Sequence, residues 1–404
     1  KKIMTTNIDK GVLLLESPTA WNRLKKGMVS DIKGASRRRI TESVLENVRR
    51  QFLAEHATQG STVAANVAII NKVMMPLIKR IMPTVMAHEL VGVQPLSGPS
   101  GTITTMRIRY ATNSPANNSG IIAGQEALSP FLVGAWYSGN EEMVNPGAAD
   151  TAVLEGTGGN DINIEFVKED VKAGSRKLKA RFTLEAMQDA QSQYGANIEQ
   201  ELTSALAQEI VLDIDQEILG KLQAIAGLPV ATYDQNKISG VATSVVDEHA
   251  ALAVMINRYS NEIARKIRKA SANWSVVSHT VLSVLQSATA SQFVRTTEGT
   301  FEAPTNNKYV GTLNNTLKVY VNTYAKDDDI LIGYKGSDEI DAAAYYCPYI
   351  PVMSSGTILD PNTFEHVMAL STRYGFFALT NPANSLGNAG DFLAKIKVAN
   401  LRFI

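Results

Sequence analysis

The most regular feature of the chain is a row of large aliphatic residues at every fourth position. Ile198, Leu202, Leu206, Ile210, Ile214, Ile218 and Leu222 form the row, and Ile225 closes it. This spacing predicts a helix over 196–226 with one long apolar ridge. Gly195 precedes it and Gly227 follows it, near the position favoured for glycine just past a helix end. At ~1.5 Å rise per residue the helix is a rod of roughly 45 Å, which needs a partner along its length. Its charged positions, Glu201, Glu209, Asp213, Asp215 and Glu217, predict an acidic face. A second helix is expected over 248–269, with Leu252, Met255, Ile256, Tyr259 and Ile263 inside. Its basic end (Arg258, Arg265, Lys266, Arg268, Lys269) suits the negative end of the helix dipole.

Period-two alternation marks the strands. From Thr102 to Tyr110, Met106, Ile108 and Tyr110 face one way and Arg107 and Arg109 the other. Alternation returns at Ile162, Ile164 and Phe166. The stretch between, 111–160, is rich in Gly, Asn, Ser, Ala and Pro and has little periodicity. Two strands around so long a stretch predict a protruding loop, and a loop of that length needs a neighbour to lie on. Further strands are expected at 274–278, 317–321, 330–334, 344–352, 366–379 and 395–403, and a helix at 281–288. Pro76 and Pro83 break the apolar run 61–90 into short or kinked helices. Residues 1–60 are polar and basic, with Leu45, Val48, Phe52 and Leu53 at helical spacing. The mixed order of elements predicts an α+β fold with at least one discontinuous domain.

Charge changes this picture only locally. The 39 Lys and Arg balance 39 Asp and Glu, so nothing global points to nucleic acid. Residues 1–55, however, carry a net charge of +6, from twelve basic and six acidic side chains, and the remainder carries −6. Opposed regional signs suit complementary contacts between copies. Arg37, Arg38 and Arg39 form a basic run whose options are a solvated helix start or contact with a packaged polyanion. Cys347 is the only cysteine, which excludes an intrachain disulfide or a thiolate metal cluster within one chain and fits a reducing compartment. No stretch has the length of a membrane span or the pattern of a signal peptide. The first residue is Lys1 and not methionine, which leaves open missing upstream residues or processing.

The search for chemistry is thin. There is no G-x-x-x-x-G-K loop, no H-E-x-x-H and no G-x-S-x-G. Gly156-Thr157-Gly158-Gly159 is not followed by a helix and reads as a loop tip. His56, His88, His249, His279 and His366 have no metal-ligand spacing. Asp327-Asp328-Asp329 is either a solvated turn or an attraction for a divalent cation. No catalytic site, cofactor or metal is expected.

Several segments together resemble the major capsid protein family of T-even-like myoviruses, which has the Hong Kong-97-like fold of tailed phages and herpesviruses. The first is Gly92-Val93-Gln94-Pro95 with Pro99-Ser100-Gly101 and Met106-Arg107. The second runs from Ser175 through Arg176, Lys177, Leu178 and Lys179 to Ala180, with Glu185 and Gln188-Asp189 behind it and Glu209-Ile210 and Leu212 further on. The third comprises Tyr334-Lys335-Gly336, Glu339, Asp341-Ala342, Tyr345-Tyr346 and Pro348-Tyr349. Thr372-Arg373-Tyr374-Gly375 is the last. The matches keep their order over roughly 61–404.

The resemblance implies an N-terminal arm or extension at 1–60 and a peripheral domain built from 61–101, 171–272 and the sheet 344–404. In that domain the long helix is the spine, with the second helix beside it. It also implies an extended loop at 102–170 and an axial domain at 273–343. The family's inserted domain within the extended loop has no room here. A maturation cleavage after a Leu/Ile-x-Glu pattern points to Glu55, after Phe52-Leu53-Ala54, while Ile40-Thr41-Glu42 and Leu14-Leu15-Glu16 also fit.

The function implied is self-assembly into hexamers and pentamers of an icosahedral head around double-stranded DNA. Scaffold, portal, vertex and decoration proteins are the expected partners, with no membrane. Arg107, Arg109, Arg176, Lys177 and Lys179 are candidates to pair with acidic surface on a neighbouring copy. A vertex protein or encapsulin-type shell protein of the same fold is the first alternative, and an enzyme with an unrecognised carboxylate site the second.

Overall fold

The structure, a computed structural model, describes residues 18–58, 85–111, 161–267, 270–337, 342–378 and 388–401 with short interruptions, and isolated positions between 123 and 155. The kinked-helix region around Pro76 and Pro83, the Gly156–Gly159 run and the cleavage pattern at Leu14–Glu16 lie outside the described residues.

The helix read from the four-residue row is present as Ile198–Ala226, here α5. Gly227 ends it in the left-handed region at φ +70°, where a residue without Cβ bears no strain. Leu206, Ile210, Ile214, Ile218 and Leu222 are buried, and so is a second row beside them, Ala207, Val211 and Leu219. Two adjoining rows make the strip wide enough to lie on a sheet.

That sheet has four strands: β1 (Gly92–Val93), β4 (Gly174–Phe182), β11 (Ala344–Leu359) and β12 (His366–Ala378), in the order β1-β11-β12-β4. Strands β11 and β12 form its long antiparallel centre, and short β1 adds in parallel at one edge. Tyr346, Val352, Met368 and Leu370 meet the spine residues in one core.

The N-terminal segment, for which the resemblance implied an arm or extension, packs on its own subunit through its described helices. Helices α1 (Pro18–Val29) and α2 (Ala35–Thr58) place Trp21, Ile40, Val44, Leu45 and Val48 in the same core. The Trp21 indole N–H donates to Glu46 at 2.8 Å. Asn47, from the buried face of α2, donates to the carbonyls of Leu96 at 2.7 Å and Tyr349 at 3.2 Å. The apolar spacing of α2 is satisfied by its own subunit, at least as far as Val48.

A second sheet holds β5 (Ala231–Asp234), β6 (Trp274–Val277), β7 (Phe293–Arg295), β8 (Lys308–Leu313), β9 (Leu317–Val321), β10 (Ile330–Gly333) and β13 (Leu393–Ala399). Its order is β5-β13-β10-β6-β9-β8-β7. This corrects two expected boundaries. The last strand does not join the 344–378 sheet, because it runs between β10, antiparallel, and β5, parallel, with Ile396 opposite both Ile330 and Ala231. The helix expected at 248–269 spans Val245–Ile267, here α6, and does not lie beside the spine. Its buried Leu252, Ile256 and Ile263 join Ile330, Ile332, Ile396 and the helix His279–Ser287 in a separate core.

The Asp327–Asp329 run is used within the fold. Asp328 accepts from Ser278 at 2.6 Å, and Asp329 pairs with Lys395 at 2.7 Å across the sheet. Ser278 also caps the 279–287 helix by accepting from the Val281 N–H. Where β10 pairs with β6, Gly333 lies opposite Trp274, and a Cβ on it would stand 2.1 Å from the Trp274 ring.

One carboxylate in the spine is misread by counting charges. Asp215 belongs to the buried row of Val211 and Leu219, one helical turn from each, and is fully buried instead of lying on the acidic face. One oxygen accepts the Met86 N–H at 2.9 Å; the other has no hydrogen-bond partner. Burial raises its pKa to about 7 against the opposing effect of the Met86 hydrogen bond.

Two predictions follow from this packing. The folded chain holds a proton on Asp215 that the unfolded chain has released, so stability falls as pH rises from about 4 to about 7. Asp215→Asn keeps an acceptor for Met86 and removes that slope, gaining up to about 4 kcal/mol over the parent above pH 7, as read by urea unfolding across pH. Gly333→Ala overpacks the β10–β6 pair at Trp274 and lowers unfolding stability by about 1–3 kcal/mol in the same assay.

Candidate assembly surfaces

The strands β2 (Ser100–Tyr110) and β3 (Ile162–Lys172) pair over eleven residues in a ribbon that belongs to neither larger sheet. Its base is anchored. Ile103 and Val171 pack with Leu96, Tyr345, Cys347 and Phe377 in a small core at the edge of the four-stranded sheet. Away from the base, cover is lost. The register sets Ile162, Ile164 and Phe166 opposite Tyr110, Ile108 and Met106, so all six positions share one face. Tyr110 is buried beside Ala127, but Ile162, Ile164 and Phe166 are 50, 61 and 62% exposed. A two-stranded ribbon is marginal by itself in water and gains stability by covering an apolar face.

The opposite face of the ribbon carries charge. Arg109 pairs with Glu165 of its own ribbon at 2.7 Å, across the diagonal of the antiparallel register. Of the charge candidates for neighbouring copies, Arg109 therefore has an acidic partner at home. Arg107 stands opposite Glu165 in the register, and its side chain lies outside the described residues.

Arg176 requires a larger correction. It lies on β4 and points at the spine instead of at solvent. Its guanidinium donates to Glu217 at 2.5 Å and to the Tyr374 hydroxyl at 2.5 Å, and it stands 3.3 Å from Asp213. Tyr374 in turn donates to Glu217 at 2.5 Å, and Lys221 pairs with Glu217 at 2.6 Å. Burial acts to raise the Glu217 carboxyl, but hydrogen bonds from Lys221, Tyr374 and Arg176 outweigh it and hold the pKa at about 2. The Arg176 guanidinium is shifted further up, burial notwithstanding, by the hydrogen bonds to Glu217 and Tyr374. The cluster ties β4 and β12 to α5. Strand alternation explains the division of labour: Arg176 turns to the helix, whereas Lys177 and Lys179 stay exposed on this edge strand.

The N-terminal arginines divide similarly. Arg37 is in contact with Glu89, and Arg38 donates to the Ile32 carbonyl at 2.6 Å. Arg38 and Arg39 are exposed. Glu55 lies in the last turns of α2. Glu217, Tyr374 and Glu89 are the partners that reading the sequence missed. For Glu89 no local signal existed, since its cation Arg37 lies 52 residues away; Glu217 has a local partner in Lys221, but its link to Arg176 spans 41 residues. For Tyr374 the motif Thr372–Gly375 marked the place without its role.

Because Glu217 is ionised in the folded state at a pH where the unfolded carboxyl is protonated, the cluster's contribution is present above about pH 4.5 and lost as pH falls toward 2. Glu217→Gln is expected to cost about 1–2 kcal/mol at pH 7 and to flatten the acid limb of the stability profile, measured by urea unfolding at pH 3 to 7.

Comparison with known proteins gives the context of these surfaces. The family model "Major capsid protein Gp23" matches residues 67–400. The chain is similar to the major capsid protein of Enterobacteria phage T4, with 26% identity covering 80% of this chain and 78% of the relative. The major capsid protein of Serratia phage KSP90 is 25% identical, with 92 and 91% covered. Among solved structures, the capsid of Myoviridae phage XM1 has 10% identity, covers 78% of this chain and 92% of its own, and has a TM-score of 0.42. That of the bacteriophage PhiM1 mature capsid has 11% identity, 78 and 86% coverage, and a TM-score of 0.41. The matched span takes in the spine, both larger sheets and the ribbon, and the chain belongs to the Gp23 family, the major capsid proteins of T4-like tailed phages.

Proposed function

We propose that this capsid subunit builds hexamers, and pentamers where the shell closes, of an icosahedral head enclosing double-stranded DNA, and that the β2–β3 ribbon lies on the adjacent copy. The observation that carries this is the ribbon's bare apolar face. Ile162, Ile164 and Phe166 are at least half exposed on a strand whose base is firmly packed. A second copy supplies cover of the right chemistry and in the right number, since each subunit then gives one ribbon and receives one. Lys177 and Lys179 are the basic side chains left outward for acidic surface on a neighbour. Assembly in the host cytoplasm agrees with a lone thiol, Cys347, that is buried and raised by desolvation to about 12, far from the reactive thiolate range. Scaffold, portal, vertex and decoration proteins remain the partners of such a shell.

Maturation cleavage at Glu55 belongs to the same proposal. Its position in α2 requires the end of that helix to open before a protease can take the segment in extended form.

The test is the double variant Ile164→Asp, Phe166→Asp. The isolated subunit is expected to keep its unfolding free energy in urea within about 0.5 kcal/mol, since both side chains are already exposed. Capsomers and shells are expected to disappear from negative-stain images. Particles of normal size and yield from the double variant would overturn the ribbon's role. Particles built of pentamers alone from the unaltered chain would favour a vertex protein of the same fold.

A further inference from the structure

The edge strand β4 shows two different faces. Arg176 turns to the spine and meets Glu217 there, so Lys177, Lys179 and Arg181 turn the other way by strand alternation. All three are exposed. In the register Arg181 stands opposite Val367, and Val367 opposite Ile358. Ile358 is 58% exposed, while its neighbour Thr357 is held inward by Glu199 of the spine. The outer face of the four-stranded sheet thus carries a basic edge with an apolar end, both open to solvent.

The spine is two-sided in the complementary sense. Leu206, Ile210 and Ile214 are buried toward the sheet. Away from it runs a ridge at four-residue spacing, Glu201, Ala205, Glu209 and Asp213, all exposed. Like charges four apart on a helix repel, so this ridge gains from an added cation. Part of each row is answered at home: Asp213 lies 3.3 Å from Arg176, and Arg181 lies 3.7 Å from Glu365. Lys177, Lys179, Glu201 and Glu209 make no ion pair among the described residues.

The two rows also match in scale. Alternate residues of a strand are ~6.7 Å apart, and successive ridge positions of a helix are ~6 Å apart. Ala205, small and uncharged, lets the ridge come close to a sheet face. The rows lie on opposite sides of one sheet-and-helix layer, so they cannot meet within a subunit. Between copies they can, and each copy then offers one face and receives the other, the arrangement that closes into rings.

We infer that the outer face of β4, centred on Lys177 and Lys179, docks on the Glu201–Asp213 ridge of the spine of a second copy. This rests on the reading that copies of the chain assemble, and it names the acidic surface those lysines meet; it does not need the ribbon. Exposed charge pairs of this kind set register and association rate more than affinity.

The experiment is a charge swap in the full chain. One variant carries Lys177→Glu and Lys179→Glu, the other Glu201→Lys and Glu209→Lys. All four side chains are exposed, so circular dichroism and urea unfolding are expected to match the parent. Each variant alone is expected to lose about tenfold or more in capsomer yield by analytical ultracentrifugation. An equal mixture of the two is expected to recover it, because each reversed face then finds a reversed partner. Reversal to glutamate keeps an edge strand charged, so if the lysines serve only to block stray strand pairing the first variant assembles normally. Normal assembly of either folded variant, or a mixture that recovers nothing, overturns the contact. Capsomers absent from the unaltered chain would instead overturn the shell reading itself, and this contact with it.

Discussion

Burial of the double apolar row of α5 is the interaction on which the rest of the subunit depends. Each fully buried Leu or Ile side chain contributes roughly 1.5–3 kcal/mol, several times a half-exposed ion pair. Six buried Leu and Ile positions of the spine, from Leu206 to Leu222, together with Ala207 and Val211, share one core with the four-stranded sheet and both N-terminal helices. The polar contacts act on top of that burial. The Arg176–Glu217–Tyr374 cluster fixes where β4 and β12 sit along the rod, and Asp215 fixes the chain at Met86 before it enters β1. Apolar contact supplies the energy, and these directional bonds supply the register.

The same division separates what a subunit does alone from what it does in company. Both larger sheets are covered by their own helices and have dense cores. The ribbon shares a core only at its foot. Rigidity is therefore concentrated in the rod and sheets, and unsatisfied apolar surface in a projection, as a shell subunit requires if one sequence is to meet neighbours at several angles.

Much of this was legible from local pattern. The four-residue row gave α5 with its end at Ala226, and alternation around Arg107 and Arg109 and at Ile162, Ile164 and Phe166 gave strands β2 and β3. Asp215 could also have been read: it falls a turn from Val211 and from Leu219, so it is a charged residue at a core position. What local pattern could not carry was partnership across long separations. Nothing within residues 393–399 says that they pair with 231–234, and the amphipathic face of 245–267 fits either sheet equally well. The basic N-terminal helices looked like a solvated arm because charge dominates their composition, while the six buried apolar side chains described in them, Trp21 and Val44 among them, decide where they dock. Arg176 and Lys177 are neighbours in sequence with opposite fates, since strand alternation fixes that they part but not which one meets the rod.

The placement of β13 has a consequence for the order of events during synthesis. Strand β5 has no other neighbour in its sheet, and β10 has β13 along one edge. Until residues 393–399 leave the ribosome, the seven-stranded layer stands as a lone strand and an incomplete sheet with an open edge. The second sheet thus closes only once residues 393–399 have been translated, long after its first strand, 231–234.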